Sequence, residues 1–257
     1  MHDLAIIGGN VYLNGKFRRA DLYIDNGQFA KIEIDPKHPS EANEIVNAEG
    51  YLVCPGIIDP HVHMALDLGW AQSCDDFLSG SSAAATGGVT TIIDFLDPLA
   101  HEDALLNALE SRKDKAKESR IDYSFHATLA EFHGNIPELV KTTKSLGMNS
   151  VKVFTTYAES GRMIQKHHIK ALLSEDIVTM VHAEDNDLVD PNWKEIATYE
   201  QSRPLESELS ALKELIKSRD NTPGDGTVYI VQVSSVSGVE LLKNQSNVII
   251  ESCPQYF

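Results

Sequence analysis

The sequence predicts an α/β fold, an incomplete TIM-like (β/α)8 barrel preceded by a small N-terminal β layer. Three observations predict it. From about residue 51, short apolar runs alternate with longer helical stretches, the pattern of parallel strands joined by crossover helices. Those runs are near-continuously apolar, as strands buried on both faces are. The first 50 residues read differently, as short runs of β-formers punctuated by Asn-Gly and Gly-Gly.

Taken in order, "LAIIGG", "NVYLNG", "ADLYIDNGQ" and "FAKIEID" are the expected strands of residues 1–50, an antiparallel layer forming part of a small β-sandwich. "DNGQ" at 25–28 is a strong hairpin signal. Residues 51–257 then hold seven strand candidates: "YLVCPGIID", "VTTIIDF", "DYSFHATL", "SVKVFT", "IVTMVHA", "TVYIVQVS" and "NVIIESC". Each but the last precedes a helix candidate, among them "EDALLNALESRKDKAKES" and "ELSALKELIKS". Eight such units close a barrel of roughly 250 residues. With seven strands over 51–257, the eighth is expected to be missing, leaving an open edge between strands one and seven. No G-x-G-x-x-G follows the first long strand, so nothing supports an open dinucleotide-binding sheet. "TGG" at 86–88 is an ordinary helix terminator.

The net charge of −16, from 38 acidic against 22 basic residues, disfavours nucleic acid and anionic membranes as partners. Three cysteines give no disulfide framework, and the start shows no basic and apolar leader. No apolar run reaches the ~18 residues of a membrane span. A reducing cytoplasm is the expected location.

"PGIIDPHVHM" at 55–64 sets His61 and His63 one residue apart after an apolar run. On a strand, residues two apart share a face, so the two imidazoles converge. They read either as polar loop residues or as half of a metal site. Polar groups recur at other strand ends. Lys152 shares a face with Phe154, His182 with Val178 and Met180, and Gln232 with Val228 and Ile230. Chemistry in such barrels sits at the carboxyl ends of the strands. Lys152 is the informative residue, because an ammonium inside an apolar strand loses its hydration unless paired. Asp94 is one candidate partner. Together these strand ends point to a site.

"PGIIDPHVHM", "SVKVFTTY", "VHAEDND", "YIVQVSS" and "ESCPQYF" occur in the order and spacing of the cyclic amidohydrolases. The resemblance is strongest to dihydropyrimidinase and hydantoinase, and "SCDDFLSGSSAAATGGVTTIIDF" at 73–95 resembles that branch too. It implies a metal-dependent hydrolase barrel that opens a cyclic amide, a dihydropyrimidine or hydantoin ring, through a metal-bound hydroxide. It also implies one or two zinc ions and, for the full-length protein, a homo-oligomer. His61 and His63 match the two histidines of the more buried metal. Lys152 matches the lysine that carbon dioxide carbamylates to bridge two metals. His182 matches a ligand of the second metal, and Tyr157 the tyrosine that hydrogen-bonds the developing oxyanion.

Two departures stand against full activity. Gln232 occupies the position of a family histidine ligand, and a neutral amide is the weaker zinc ligand, so the second metal is expected to be weak or absent. The family's eighth-strand aspartate, which binds metal and shuttles the proton, has no counterpart in this chain. The alternative is a non-enzymatic structural or interaction protein, as the collapsin-response mediator proteins are.

Overall fold

Two Asn-Gly turns organise the N-terminal sheet. Asn14 and Gly15 take φ of 50° and 83°, Asn26 and Gly27 51° and 72°. Positive φ at both central residues is the type I′ turn, whose twist matches the strands it joins. The turns link β1 (His2–Leu13), β2 (Lys16–Asp25) and β3 (Gln28–Ile34) into an antiparallel meander. "LAIIGG" and "NVYLNG", expected as two strands, are one. Gly-Gly makes a bulge rather than a turn: the register with β2 shifts between Ile6 and Gly9, and Gly8 takes φ of 75°. The Asp21 carboxylate accepts the Gly8 N–H at 2.8 Å and fixes the bulge.

The chain then crosses the sheet, so β4 (Ala42–Asn47) and β5 (Leu52–Val53) both run parallel to β1. The layer is therefore mixed, not purely antiparallel as expected. "YLVCPGIID" also divides: Leu52–Val53 join this sheet, and the following residues form β6 (Ile57–Val62) of the second. Val11, Ala20 and Leu22 form the small core of this unit.

The computed structural model describes residues 1–256 and separates into two units between Ile57 and Ile58. The second unit is a seven-stranded sheet in strict chain order: β6, β7 (Val89–Phe95), β8 (Asp122–Thr128), β9 (Ser150–Phe154), β10 (Val178–His182), β11 (Thr227–Val231) and β12 (Val248–Ile250). The pairs recorded from β7 to β12 are parallel. Between successive strands run α1 (Phe77–Thr86), α2 (Leu105–Ala116), α3 (Ile136–Ser145), α4 (Lys166–Ser174), α5 (Leu205–Asp220) and α6 (Val236–Leu242).

Helix starts follow from their caps. Asp76 and Ser79 close a reciprocal capping box on α1. Asn135 caps α3 ahead of a proline in its first turn, and Ser235 caps α6. The apolar core lies between sheet and helices, built from Ile92, Phe125, Val151, Val181, Val228 and Ile230 against Leu109, Leu139, Leu172 and Leu212. A smaller cluster of Phe95, Met180 and Val231 fills the other face.

The sheet is strongly curled. Laid flat at ~4.8 Å per strand, its first and last strands would stand about 29 Å apart. Instead the side chains of His61, on β6, and Glu251, just after β12, meet at 2.8 Å. This is the expected incomplete TIM-like barrel: seven parallel strands wrapped most of the way round.

Candidate functional site

The concave face of the curled sheet is set by register. Lys152, Met180 and Tyr229 stand opposite one another on β9, β10 and β11. Phe95 ends β7 on the same face. Around the Phe95 ring gather four polar side chains. His63 stacks on it at 4.7 Å, His126 lies tilted at 4.8 Å, His61 sits edge-on at 5.0 Å, and Lys152 Nζ lies 5.4 Å from its centroid. The two histidines of "HVH" therefore do converge, their ring centroids 5.5 Å apart, with Lys152 on the same aromatic floor.

Each of these groups has a distinct electrostatic state. Burial, helped by His61 and Lys152, lowers the His63 imidazole to about 4, so it is neutral at pH 7. His63 makes no hydrogen bond among the described residues. His61 Nδ1 lies 2.8 Å from Glu251 Oε1, and its Nε2 makes no hydrogen bond among the described residues. Lys152 is 3% exposed, and burial lowers its ammonium to about 7 against the opposing pull of Glu251. Its Nζ lies over the Phe95 and Phe154 rings, with no carboxylate within ion-pair reach among the described residues.

The suggested Lys152–Asp94 pair does not form. Alternation puts the two on opposite faces of the sheet. Asp94 points toward α2, where Arg112 Nη2 donates to both its oxygens at 3.0 and 2.9 Å. The same guanidinium donates to the Met64 carbonyl, and Asp94 accepts the Met64 N–H at 3.2 Å. A buried ion pair thus grips the backbone immediately after His63.

His182 and Gln232 meet, though not for the expected reason. Val228 and Ile230 lie in the helix-side core, while Tyr229 lies opposite Met180 and, with Val231, packs on the concave face. Simple alternation would send Gln232 outward. It turns inward because its backbone is left-handed, with φ of 58°. Its Oε1 then lies 2.7 Å from His182 Nδ1, and His182 Nε2 lies 2.8 Å from Glu184 Oε2. Glu184 also receives Arg203 Nη1. Burial works to raise the Glu184 carboxyl, but His182 and Arg203 outweigh it and hold it below the usual range.

Tyr157, also left-handed at φ of 69°, lies beside this network, its ring 5.5 Å from His182 and 4.7 Å from the Arg203 guanidinium. Burial raises its phenol above the usual value, so it stays protonated and able to donate. Left-handed conformations in two non-glycine residues at strand ends, each costing ~1–3 kcal/mol, are the kind of strain that collects at functional sites.

Four contributors escaped the sequence reading. His126 is buried with both nitrogens engaged, one by the Ser150 hydroxyl and one by the Pro60 carbonyl at 2.9 Å, and burial lowers it to about 4. Its alternation in "DYSFHATL" was the available signal. Glu184 and Arg203 lie outside any strand pattern, and Glu251, though inside the strand candidate "NVIIESC", gave no signal of its partner.

The donor set divides in two. His63 and His61 Nε2 are uncommitted imidazole nitrogens, and Lys152 is held near its neutral form, so these residues suit one zinc ion. The second position does not fit: His182 has both nitrogens bonded, and Gln232 offers only an amide. Among the described residues no group of three or more His, Cys, Asp or Glu is arranged to hold a metal ion. No helix among them is long and apolar enough to cross a membrane.

No family model matches the chain. Individual relatives do. D-phenylhydantoinase of Escherichia coli O1:K1 / APEC is 32% identical over 256 residues, covering 93% of this chain and 54% of the relative. The chain thus spans about half the length of the curated relatives it matches. The D-hydantoinase structure from Bacillus sp. AR9 superposes with a TM-score of 0.83 at 30% identity, over 99% of this chain and 58% of that one. Dihydropyrimidinase from Brevibacillus agri NCHU1002 gives 0.82 at 29%, over 98% and 57%. By sequence and by fold, this chain is similar to the cyclic amidohydrolases of the hydantoinase-like branch.

Proposed function

We propose that the chain belongs to a hydrolase that opens a small cyclic amide of the dihydropyrimidine or hydantoin kind, and that it carries one zinc site. The observation that supports this most is the gathering of His61, His63 and Lys152 around Phe95. His61 and His63 would hold the ion, together with Lys152 after carbon dioxide has added to its amine. Addition to the neutral amine forms an N–C bond at the expense of one C–O π bond of carbon dioxide and releases one N–H proton, leaving a carboxylate-like ligand where the ammonium would repel a metal. Burial prepares Lys152 for it by favouring the neutral amine. Bound zinc supplies Lewis-acid polarisation of the amide carbonyl and of water.

The remaining roles belong to side chains of this chain. Tyr157 donates its phenolic proton to the carbonyl oxygen as charge develops there, a contribution of roughly 3–4 kcal/mol for a well-placed donor. Arg203 stacks on the Tyr157 ring and neutralises Glu184. The same reading places the protein in a reducing cytoplasm, in keeping with unpaired Cys54, Cys74 and Cys253, and has the full-length protein form a homo-oligomer.

A second reading, a structural or interaction protein that keeps the fold without turnover, is favoured by one observation. Both nitrogens of His182 are spent on Gln232 and Glu184, where a second metal would need one free. Turnover decides between the two. The zinc-loaded chain is incubated with hydantoin and with dihydrouracil, and ring opening is read as the carbamoyl product. Slow hydrolysis that disappears in Lys152→Ala supports the enzyme. Absence of both zinc and product supports the second reading.

A further inference from the structure

The His61 site contains a carboxylate that the reading above leaves without a role. Glu251 follows β12, the last strand of the sheet, and reaches across to His61 on β6, the first. Its Oε1 lies 2.8 Å from His61 Nδ1 and 3.3 Å from the Gln232 N–H, and its Oε2 accepts the Tyr229 hydroxyl at 2.7 Å. Both oxygens are therefore held by donors on other elements, and the carboxylate cannot swing away without abandoning three of them. The two side chains are 11% and 15% exposed, so water competes little for the contact.

Glu251 is the acceptor in its other two contacts, from the Gln232 N–H and the Tyr229 hydroxyl, and as an acceptor toward His61 it leaves the proton of that contact on Nδ1. A neutral imidazole with its proton on Nδ1 has its lone pair on Nε2. Metal-binding histidines generally give their second N–H to such a partner, which fixes ring orientation and raises ligand basicity.

We propose that Glu251 is the positioning residue of His61. It selects the Nδ1–H tautomer, leaves Nε2 free as the ligating atom, and ties that ligand to the far edge of the curled sheet. The proposal rests on the zinc-site reading for its purpose, but the tautomer itself does not depend on metal. Because the contact joins the two terminal strands, it also makes ligand geometry depend on sheet curvature: flattening the sheet would release His61.

The experiment begins with the unmodified, chelator-treated chain labelled with 15N-histidine, at about pH 8.5. Long-range 1H–15N correlation reads which ring nitrogen carries hydrogen, with His61 assigned by its loss in His61→Gln. The expected result is Nδ1–H alone. An Nε2–H or doubly protonated ring overturns the proposal. Glu251→Leu is expected to shift His61 to the Nε2–H form and to weaken zinc binding about 10- to 100-fold by chelator competition. Glu251→Gln, which keeps an acceptor oxygen, is expected to restore most of both. A zinc affinity in Glu251→Leu within about twofold of the unmodified chain also overturns it. Should Glu251→Leu fail to fold, the tautomer of the unmodified chain and the Glu251→Gln variant decide. Should the unmodified chain bind no zinc, the zinc-site reading falls while the tautomer result still stands.

Discussion

Replacing Lys152 with methionine should stabilise the fold, and only in a defined pH window. The side chain is 3% exposed, and burial lowers its ammonium from an ordinary 10.5 to about 7. Between those values the unfolded chain holds a proton that the folded chain has lost, so stability rises with pH. Below about 7 the penalty on the charged form is fully present, and above about 10.5 it is gone. At ~1.4 kcal/mol per pH unit the penalty at low pH is about 5 kcal/mol, large against the ~5–15 kcal/mol of a whole domain. Lys152→Met removes the ammonium and keeps most of the volume. In urea titrations it should gain about 4–5 kcal/mol near pH 6, shrinking toward a small pH-independent packing term near pH 10. Bicarbonate should stabilise the unmodified chain, by converting the amine to a carbamate, and leave Lys152→Met unmoved. A gain below about 1 kcal/mol near pH 6, or one that does not change with pH, would refute a buried, unpaired lysine.

Other perturbations test neighbouring parts of the account. Arg112→Met strands the Asp94 carboxylate, which is 0% exposed, and should cost about 3–5 kcal/mol in denaturant titrations, with the Arg112→Met/Asp94→Leu double variant recovering much of it. Gln232→His removes the amide acceptor of His182 Nδ1 and should raise zinc content above that of the unmodified chain by elemental analysis; no change would mean that the loss of the second site lies elsewhere. If the chain turns over substrate, Tyr157→Phe should lower kcat by about 10²- to 10³-fold with little change in zinc content.

The barrel was legible in the sequence because buried parallel strands and amphipathic crossovers leave two different periods, and each of the six helices overlaps a stretch that reads as helical, α5 running past its stretch at both ends. The N-terminal sheet was less so. Gly-Gly in "LAIIGG" can make a turn or a bulge, and only pairing with β2 across both halves decides for the bulge. Nor does any local signal show that "YLVCPGIID" is shared between two sheets. In the site, Lys152 and the two histidines of "HVH" were readable because strand alternation holds there. Gln232 meets His182 as expected, but through a left-handed backbone at the strand end, where alternation fails, rather than through strand parity. Glu251 was silent because its partner is His61, 190 residues earlier, and only the curl of the sheet brings them together.

The most direct test of the central claim is the zinc content of the purified, zinc-equilibrated chain by elemental analysis, alongside the His61→Ala/His63→Ala double variant. One zinc per chain, lost in the double variant while the fold persists by circular dichroism, is the expected result. A chain that holds no zinc, or whose zinc survives loss of both histidines, would contradict a metal site at the mouth of this barrel.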